Sequence, residues 1–304
     1  MKIVLTGGTG FVGKALLPKL IDAGHEVSLL SRSERRTNSS SHPALRTFAW
    51  DAKTQGVWSK EIDGADAVIN LAGESIAAKR WTATQKELLL NSRIDSTRAL
   101  VEAIARSQKK PAVLINASAV GFYGNVDEGD VTELHPNGKD FLAHVCARWE
   151  EEARKAENLN VRTVLLRFGV ILEKGSGALE KFIPPFQFFI GGPLGSGRQW
   201  FPWVHREDTA EVILFSLQNQ ALAGAVNVTA PEVVTMKEFC RHLGRAMRRP
   251  SWALVPGFAL RLLLGEMAGM ILGGQRAVPK KLLEAGYTFR HPGVQEALDS
   301  IFRK

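Results

Sequence analysis

The sequence predicts a doubly wound α/β fold, a parallel sheet flanked by helices, joined to a smaller, mainly helical C-terminal part. Three observations predict it. The chain opens on MKIVLTGGTGFVG, an apolar strand that runs through a glycine-rich turn into a helix. Strand-like and helix-like runs then alternate as far as about residue 170. Beyond Arg167 a stretch punctuated by glycine and proline takes over, followed by helical patterns.

Taken in order, short apolar runs predict strands at 2–6, 26–30, 45–49, 66–70, 112–117 and 161–167. Helical patterns lie between them at about 11–23, 83–107 and 141–157. Ser33 to Pro43, polar and rich in Ser and Arg, reads as a mobile surface loop. The glycines and prolines from Gly175 to Gly197 mark loops and short helices that would wall a substrate. Val212–Leu217 and Ala225–Val228 read as a return to the sheet, and Met236–Met247, Gly257–Leu272 and Pro279–Ala285 as helices.

Composition narrows the class. The chain has 304 residues, 45% hydrophobic and 23% charged, an ordinary globular balance with room for a substantial core. Two cysteines, Cys146 and Cys240, make no disulfide framework, so a reducing, cytoplasmic setting is expected. No signal peptide is expected, because Gly7 and Gly8 interrupt the first apolar run. The most apolar later stretch, Trp252 to Leu272, contains Pro256, Arg261 and Glu266, which suit a buried or interface helix rather than a membrane span. No membrane partner is therefore expected. The net charge of +8 comes from scattered basic residues, apart from Arg241, Arg245, Arg248 and Arg249 and the pair Lys280 and Lys281. No nucleic-acid motif accompanies them, so nucleic acid is not the expected partner.

The first turn carries the clearest chemistry. Gly7, Gly10 and Gly13 recur every third residue, and each lets the backbone approach a neighbour or a pyrophosphate closely. The helix that opens at Phe11, Val12 and Gly13 offers free N–H groups and a positive dipole end, and Thr6 and Thr9 can add hydroxyls. This is the setting in which a glycine motif indicates a dinucleotide site of Rossmann type. In such a sheet the ligand lies across the carboxyl ends of the strands. The second strand ends in Ser31-Arg32, with Arg35 and Arg36 nearby, where NAD sites usually carry an acidic residue. A guanidinium fork suits a 2′-phosphate, so NADP(H) is predicted over NAD(H). At the end of the fourth strand the small residues of Leu71-Ala72-Gly73 let the backbone approach the adenosine and phosphates. The fifth strand ends at Ser118, facing the nicotinamide, and the sixth runs into Val170, where the backbone can meet the carboxamide. No metal ligands are assigned. Residues 1–168 with 201–229 would form the NADP-binding domain, and 169–200 with 230–304 the smaller substrate side.

These features resemble the extended, sugar-nucleotide-epimerase-like branch of the short-chain dehydrogenase/reductases. The matching motifs are TGGTGFVG at 6–13, NLAG at 70–73, ASAVGFYG at 117–124 and WVHREDTA at 203–210. An atypical "epimerase family protein" subfamily of unestablished substrate is matched more closely. The residues that carry this are GESIAAKRWT at 73–82, CARWEE at 146–151, GGPLGSGRQWFPWVH at 191–205 and LGGQRAVPKKLLEAGY at 272–287. The resemblance implies a working tyrosine with a lysine four residues on. Neither tyrosine fits: Tyr123 is followed by Asp127 at that spacing and Tyr287 by His291. Anchoring on CARWEE places Leu142 and Cys146 at the pair and Arg93 at a usual asparagine.

Ketone reduction needs a proton donor of suitable pKa, and leucine cannot serve. The candidates are Ser118 to hold the substrate oxygen, Tyr123 as donor, and Cys146, which is a poor stand-in without an activating neighbour and otherwise a buried core thiol. Glu74, His144 and His205 are weaker alternatives, and His205 with Asp208 reads as structural. Arg93 would hold the cofactor's ribose or phosphate. Lys79, Arg80 and Arg198 border the cleft and would suit a small substrate with an anionic group. Two functions stay open: an NADP(H)-dependent oxidoreductase or epimerase-like enzyme, or a catalytically inactive NADP(H)-responsive binding or regulatory protein. Relatives dimerise through their two long helices, here about 83–107 and 141–157, and the sequence does not choose between monomer and homodimer.

Overall fold

The structure is a computed structural model that describes residues 1–32 and 42–303. The loop expected at Ser33 to Pro43 therefore lies almost wholly outside the described residues, as do Arg35 and Arg36. The first half alternates as predicted: β1 (Lys2–Thr6), α1 (Gly13–Asp22), β2 (Glu26–Ser31), β3 (Leu45–Ala49), β4 (Ala67–Asn70), α2 (Ala83–Arg106) and β5 (Val113–Ala119). After β6 (Val126–Val131) come α3 (Phe141–Arg154), β7 (Arg162–Phe168), β8 (Val170–Leu172) and α4 (Leu179–Gln187). Next are β9 (Trp200–Phe201), β10 (Trp203–His205), α5 (Arg206–Gln218), β11 (Gly224–Val228) and β12 (Val234–Thr235). The chain ends with α6 (Met236–Met247), α7 (Gly257–Leu264), α8 (Ala268–Leu272), β13 (Gln275–Ala277), α9 (Lys280–Glu284) and α10 (Val294–Phe302).

Seven strands form one parallel sheet in the order β11-β7-β5-β4-β1-β2-β3. The order reverses at β1, and a crevice opens there at the strand ends. The central strands are buried on both faces, which is why Ile3-Val4-Leu5 and Ala67-Val68-Ile69 are continuously apolar rather than alternating. One core lies under α1 and α5, a second under α2 and α3. A third core, around Leu179, Phe186, Trp203, Phe239 and Leu298, belongs to the C-terminal helices.

Two expectations are corrected. Val212–Leu217 is not a strand but the middle of α5. His205 caps that helix by accepting the Glu207 N–H, and buried Thr209, Val212, Ile213 and Ser216 recur at helical spacing. The helix expected at Gly257–Leu272 is broken into α7, a single 3-10 turn and α8, because Gly265 adopts φ +60°.

Candidate functional site

The glycine turn joins β1 to α1 at the crevice. Gly7 has φ +68°, and a Cβ there would lie 2.6 Å from the Leu71 carbonyl. A Cβ on Gly13 would lie 2.3 Å from the Gly7 oxygen, so both glycines are demanded by packing. Gly10 is different. Among the described residues its Cβ would meet only the Gly7 oxygen, at 3.1 Å, so a side chain would press on that one atom and otherwise fill the cradle. The Gly10 N–H closes the turn on the Gly7 carbonyl at 2.9 Å. α1 begins at Val12 with no side-chain cap and no acidic residue in its first turn, so no local carboxylate offsets its positive end. An open, glycine-lined cradle at the positive end of a helix fits a pyrophosphate.

The surrounding residues divide by what they already do. Thr9 is half-buried, and the Phe11 ring packs on Gly177 with the Arg206 guanidinium 5.6 Å from its centre. Thr6 does not supply a free hydroxyl: it donates to Asn70 at 2.7 Å and accepts the Leu71 N–H, tying β1 to β4. Asn70 in turn donates to Thr97 and Asn116, and the Trp149 indole donates to Thr97. Ser31 ends β2 in a buried position, and Arg32 beside it is exposed. Leu71 and Ala72 are half-buried, and exposed Gly73 is flanked by Arg93. Arg93 is anchored by bonds to the Leu89 and Glu74 carbonyls and lies over Trp149, leaving its guanidinium edge along the Gly73 backbone. The Val170 N–H is engaged with the Pro202 carbonyl at 2.7 Å.

Ser118, Tyr123 and Cys146 do come together, but around a buried charge pair. Arg167, on β7 beside Ser118, and Glu150, on α3, are each 3% exposed and joined by two hydrogen bonds of 2.7 and 2.8 Å. Ser118 donates to the same carboxylate at 2.7 Å. Arg167 also donates to the Tyr123 hydroxyl at 2.9 Å, and Tyr123 donates to Asn227 at 2.6 Å. Asn227 donates to the Val131 and Val278 carbonyls, so the network reaches β6, β11 and the chain before α9. Burial pulls the Arg167 pKa down, but the hydrogen bonds and charge of Glu150 outweigh it and hold it up. Burial pushes the Tyr123 hydroxyl up to about 12, with Arg167 opposing. The Cys146 thiol is also pushed up to about 12, by burial first and then by the Glu150 charge, against the nearby Arg93. Cys146 and Leu142 pack over Gly121.

Glu150, Arg167 and Asn227 are not among the residues picked from the sequence. The signal for Arg167 is available there: an arginine inside the apolar run VLLRFGV needs a buried partner. The sequence does not say which carboxylate supplies it.

The remaining candidates lie outward. Lys79, Arg80 and Arg198 are exposed, with Arg80 against Gly265, and Lys86 bridges to Glu266 at 2.7 Å. His144 is exposed on α3. Trp81 meets Phe141 edge to face, while Phe201 and Trp203 pack in the third core. The His205 and His291 rings lie tilted against each other with centres 3.8 Å apart, and Asp208 accepts the N–H groups of Arg290 and His291. His205, Glu207 and His291 bring three possible ligand atoms within 4.8 Å of one another. Glu207 is already paired with His291, Arg290 and Lys19, which ties the cluster into a knot of polar contacts.

Comparisons agree with this architecture. Residues 3–229 match the NAD dependent epimerase/dehydratase family, and residues 255–301 match a domain of unknown function, DUF1731. The chain is 41% identical to the Arabidopsis thaliana epimerase family protein SDR39U1 homolog, chloroplastic, over 100% of the chain and 87% of that protein. It is also 41% identical to epimerase family protein YfhF of Bacillus subtilis, covering 99% of the chain and 98% of that protein. The crystal structure of human epimerase family protein SDR39U1 (isoform2) with NADPH superposes with a TM-score of 0.88 at 32% identity, covering 100% of both chains. The chain therefore belongs to the NAD dependent epimerase/dehydratase family, in its atypical extended short-chain dehydrogenase/reductase branch.

Proposed function

We propose that the chain is an NADP(H)-binding, epimerase-like oxidoreductase whose reacting position lacks the tyrosine–lysine pair. The observation that carries this reading is the packing of Leu142 and Cys146 over Gly121 in a chain whose glycine cradle stays open. The cofactor would be held by the turn Gly7–Gly13 with Thr9, Phe11 and Val12. Ser31 and Arg32 would take the 2′-phosphate, Leu71, Ala72 and Gly73 would line the adenosine and phosphates, Arg93 would take a ribose or phosphate oxygen, and Val170 would adjoin the carboxamide. Bound there, the nicotinamide supplies or accepts hydride. The NADPH in the human relative supports the choice over NAD(H).

Tyr123 and Ser118 serve in this reading as positioning residues. The Tyr123 proton is already donated to Asn227 and its oxygen occupied by Arg167, and the Ser118 proton is given to Glu150. They fix the tip of β5 against α3. Proton exchange at the substrate oxygen then falls to water in the cleft. Lys79, Arg80 and Arg198 suit a small substrate with an anionic group. The cofactor part is tested by titrating NADPH and NADH, with NADPH expected to bind at least about tenfold tighter; equal affinities sink it. The chemical part is tested by cofactor oxidation against a panel of carbonyl substrates with Tyr123→Phe. Turnover retained within a few-fold supports the positioning role, and loss of about a thousandfold or more makes Tyr123 the donor.

One observation favours a second reading. The hydroxyls of Ser118 and Tyr123 are both spent inside the network, as suits an NADP(H)-responsive binding protein without catalysis. Tight NADPH binding with no turnover on any substrate would establish it.

A further inference from the structure

Two sequence features take no part in the site above: the apolar stretch from Trp252 and the arginines from Arg241 to Arg249. Arg249, set against the Phe189 ring, joins the two. The segment after α4 and the segment before α7 run side by side. Trp252 and Ala253 donate their N–H groups to the Gly191 carbonyl at 3.0 and 3.2 Å, and the Trp252 indole donates to the Phe189 carbonyl at 2.9 Å. Gly195 donates to the Val255 carbonyl at 2.9 Å, and α7 follows directly. Along this strip Phe188, Ile190, Trp252 and Leu254 are exposed, and α7 buries only Leu260. Phe258, Leu262 and Leu263 of α7 are 74%, 80% and 72% exposed, far beyond the scattered apolar residues of an ordinary surface.

Charge distinguishes the possible occupants. Arg249 lies 4.5 Å from the centre of the Phe189 ring, and Arg241, Arg245, Arg248 and Arg261 are exposed nearby in the chain. Neither residues 181–206 nor residues 239–265 contain a single Asp or Glu. A two-fold contact with a second copy would set this face against itself, arginine against arginine. A surface that offers both negative headgroups and an apolar layer satisfies both halves of the pattern. We propose that this face docks on an anionic phospholipid bilayer, with Trp252, Phe258 and Leu262 entering the acyl boundary and the arginines meeting the headgroups. Among the described residues no helix is long and apolar enough to cross a membrane, so the docking is peripheral. It replaces, for this surface, the expectation of no membrane partner.

The test uses the full chain and co-sedimentation with phosphatidylcholine vesicles, with and without phosphatidylglycerol. Partitioning should rise at least about tenfold with phosphatidylglycerol and weaken with salt. The double variant Phe258→Glu/Leu262→Glu should lose about tenfold or more of that partitioning. Its melting temperature should match the parent's, because both side chains are exposed. Three results would overturn the proposal: no sedimentation with either vesicle, equal sedimentation with both, or undiminished binding by the double variant. A concentration-dependent dimer that the double variant dissolves, with vesicles ignored, would assign the face to a second copy and overturn it equally.

Discussion

The turn at the end of β1 and the tip of β5 lie on the same edge of the sheet with β4 between them, yet they are built in opposite ways. The β1 turn is backbone with an open side: Gly7 and Gly13 are held by close packing, and Gly10 faces space. The β5 tip is side chain bonded to side chain, with Ser118, Glu150, Arg167, Tyr123 and Asn227 satisfying one another out of solvent. The difference teaches how to separate binding from scaffolding. A turn that keeps an open side leaves room for a ligand, and a tip whose polar groups are all spent holds its neighbours in place.

Substitutions can break or sharpen that contrast. The largest effect is expected for Arg167→Met, which leaves the Glu150 carboxylate buried without its cation and should cost about 3–5 kcal/mol. Urea unfolding checks this, and a loss below about 1 kcal/mol would show that the β5 tip is no rigid scaffold. Gly10→Val should weaken NADPH binding about 10–100-fold, or about 1.4–2.8 kcal/mol, while moving stability by no more than about 1 kcal/mol. Calorimetric titration beside a thermal melt reads both; parallel losses would mean that Gly10 belongs to the packing like Gly13. Tyr123→Phe removes the hydroxyl between Arg167 and Asn227 and should cost about 1.5 kcal/mol of stability with NADPH affinity unchanged. At neutral pH the smallest effect is that of Cys146, which shows only as an alkaline pH dependence. Burial holds the Cys146 thiol up from 9.0 to about 12, so its stabilisation is complete below pH 9 and is lost as pH rises towards 12. Cys146→Ala should flatten that alkaline decline in urea midpoints, and an unchanged slope would show that the thiol ionises as freely folded as unfolded.

Much of the sheet is legible in the sequence because its strands are short apolar runs closed by turn residues, as in Ile3-Val4-Leu5 before Gly7. The cradle is legible for the same reason: its glycines act on near neighbours. Local patterns mislead at Val212–Leu217, where branched residues suggest a strand but the cap at His205 and contacts with distant elements impose a helix. The small sheets pairing β6 with β13 and β9 with β12 join segments far apart in the chain, so nothing local marks them. The same holds for the β5 tip. Ser118 and Tyr123 look like reactive groups at a strand end, and only the arrival of Glu150, Arg167 and Asn227 shows how their hydroxyls are used.

That network also bears on the order in which the molecule can assemble. Tyr123 donates its hydroxyl to a residue 104 positions further on. A nascent chain that has emerged only as far as β7 can join Arg167 to Glu150 but has no acceptor yet for Tyr123. Contacts of such long sequence separation form late, after their loop-closure entropy has been met. The β5 tip is therefore expected to stay incompletely locked during synthesis until β11 docks on β7, so folding of this region is gated by a strand that contributes nothing to the glycine cradle.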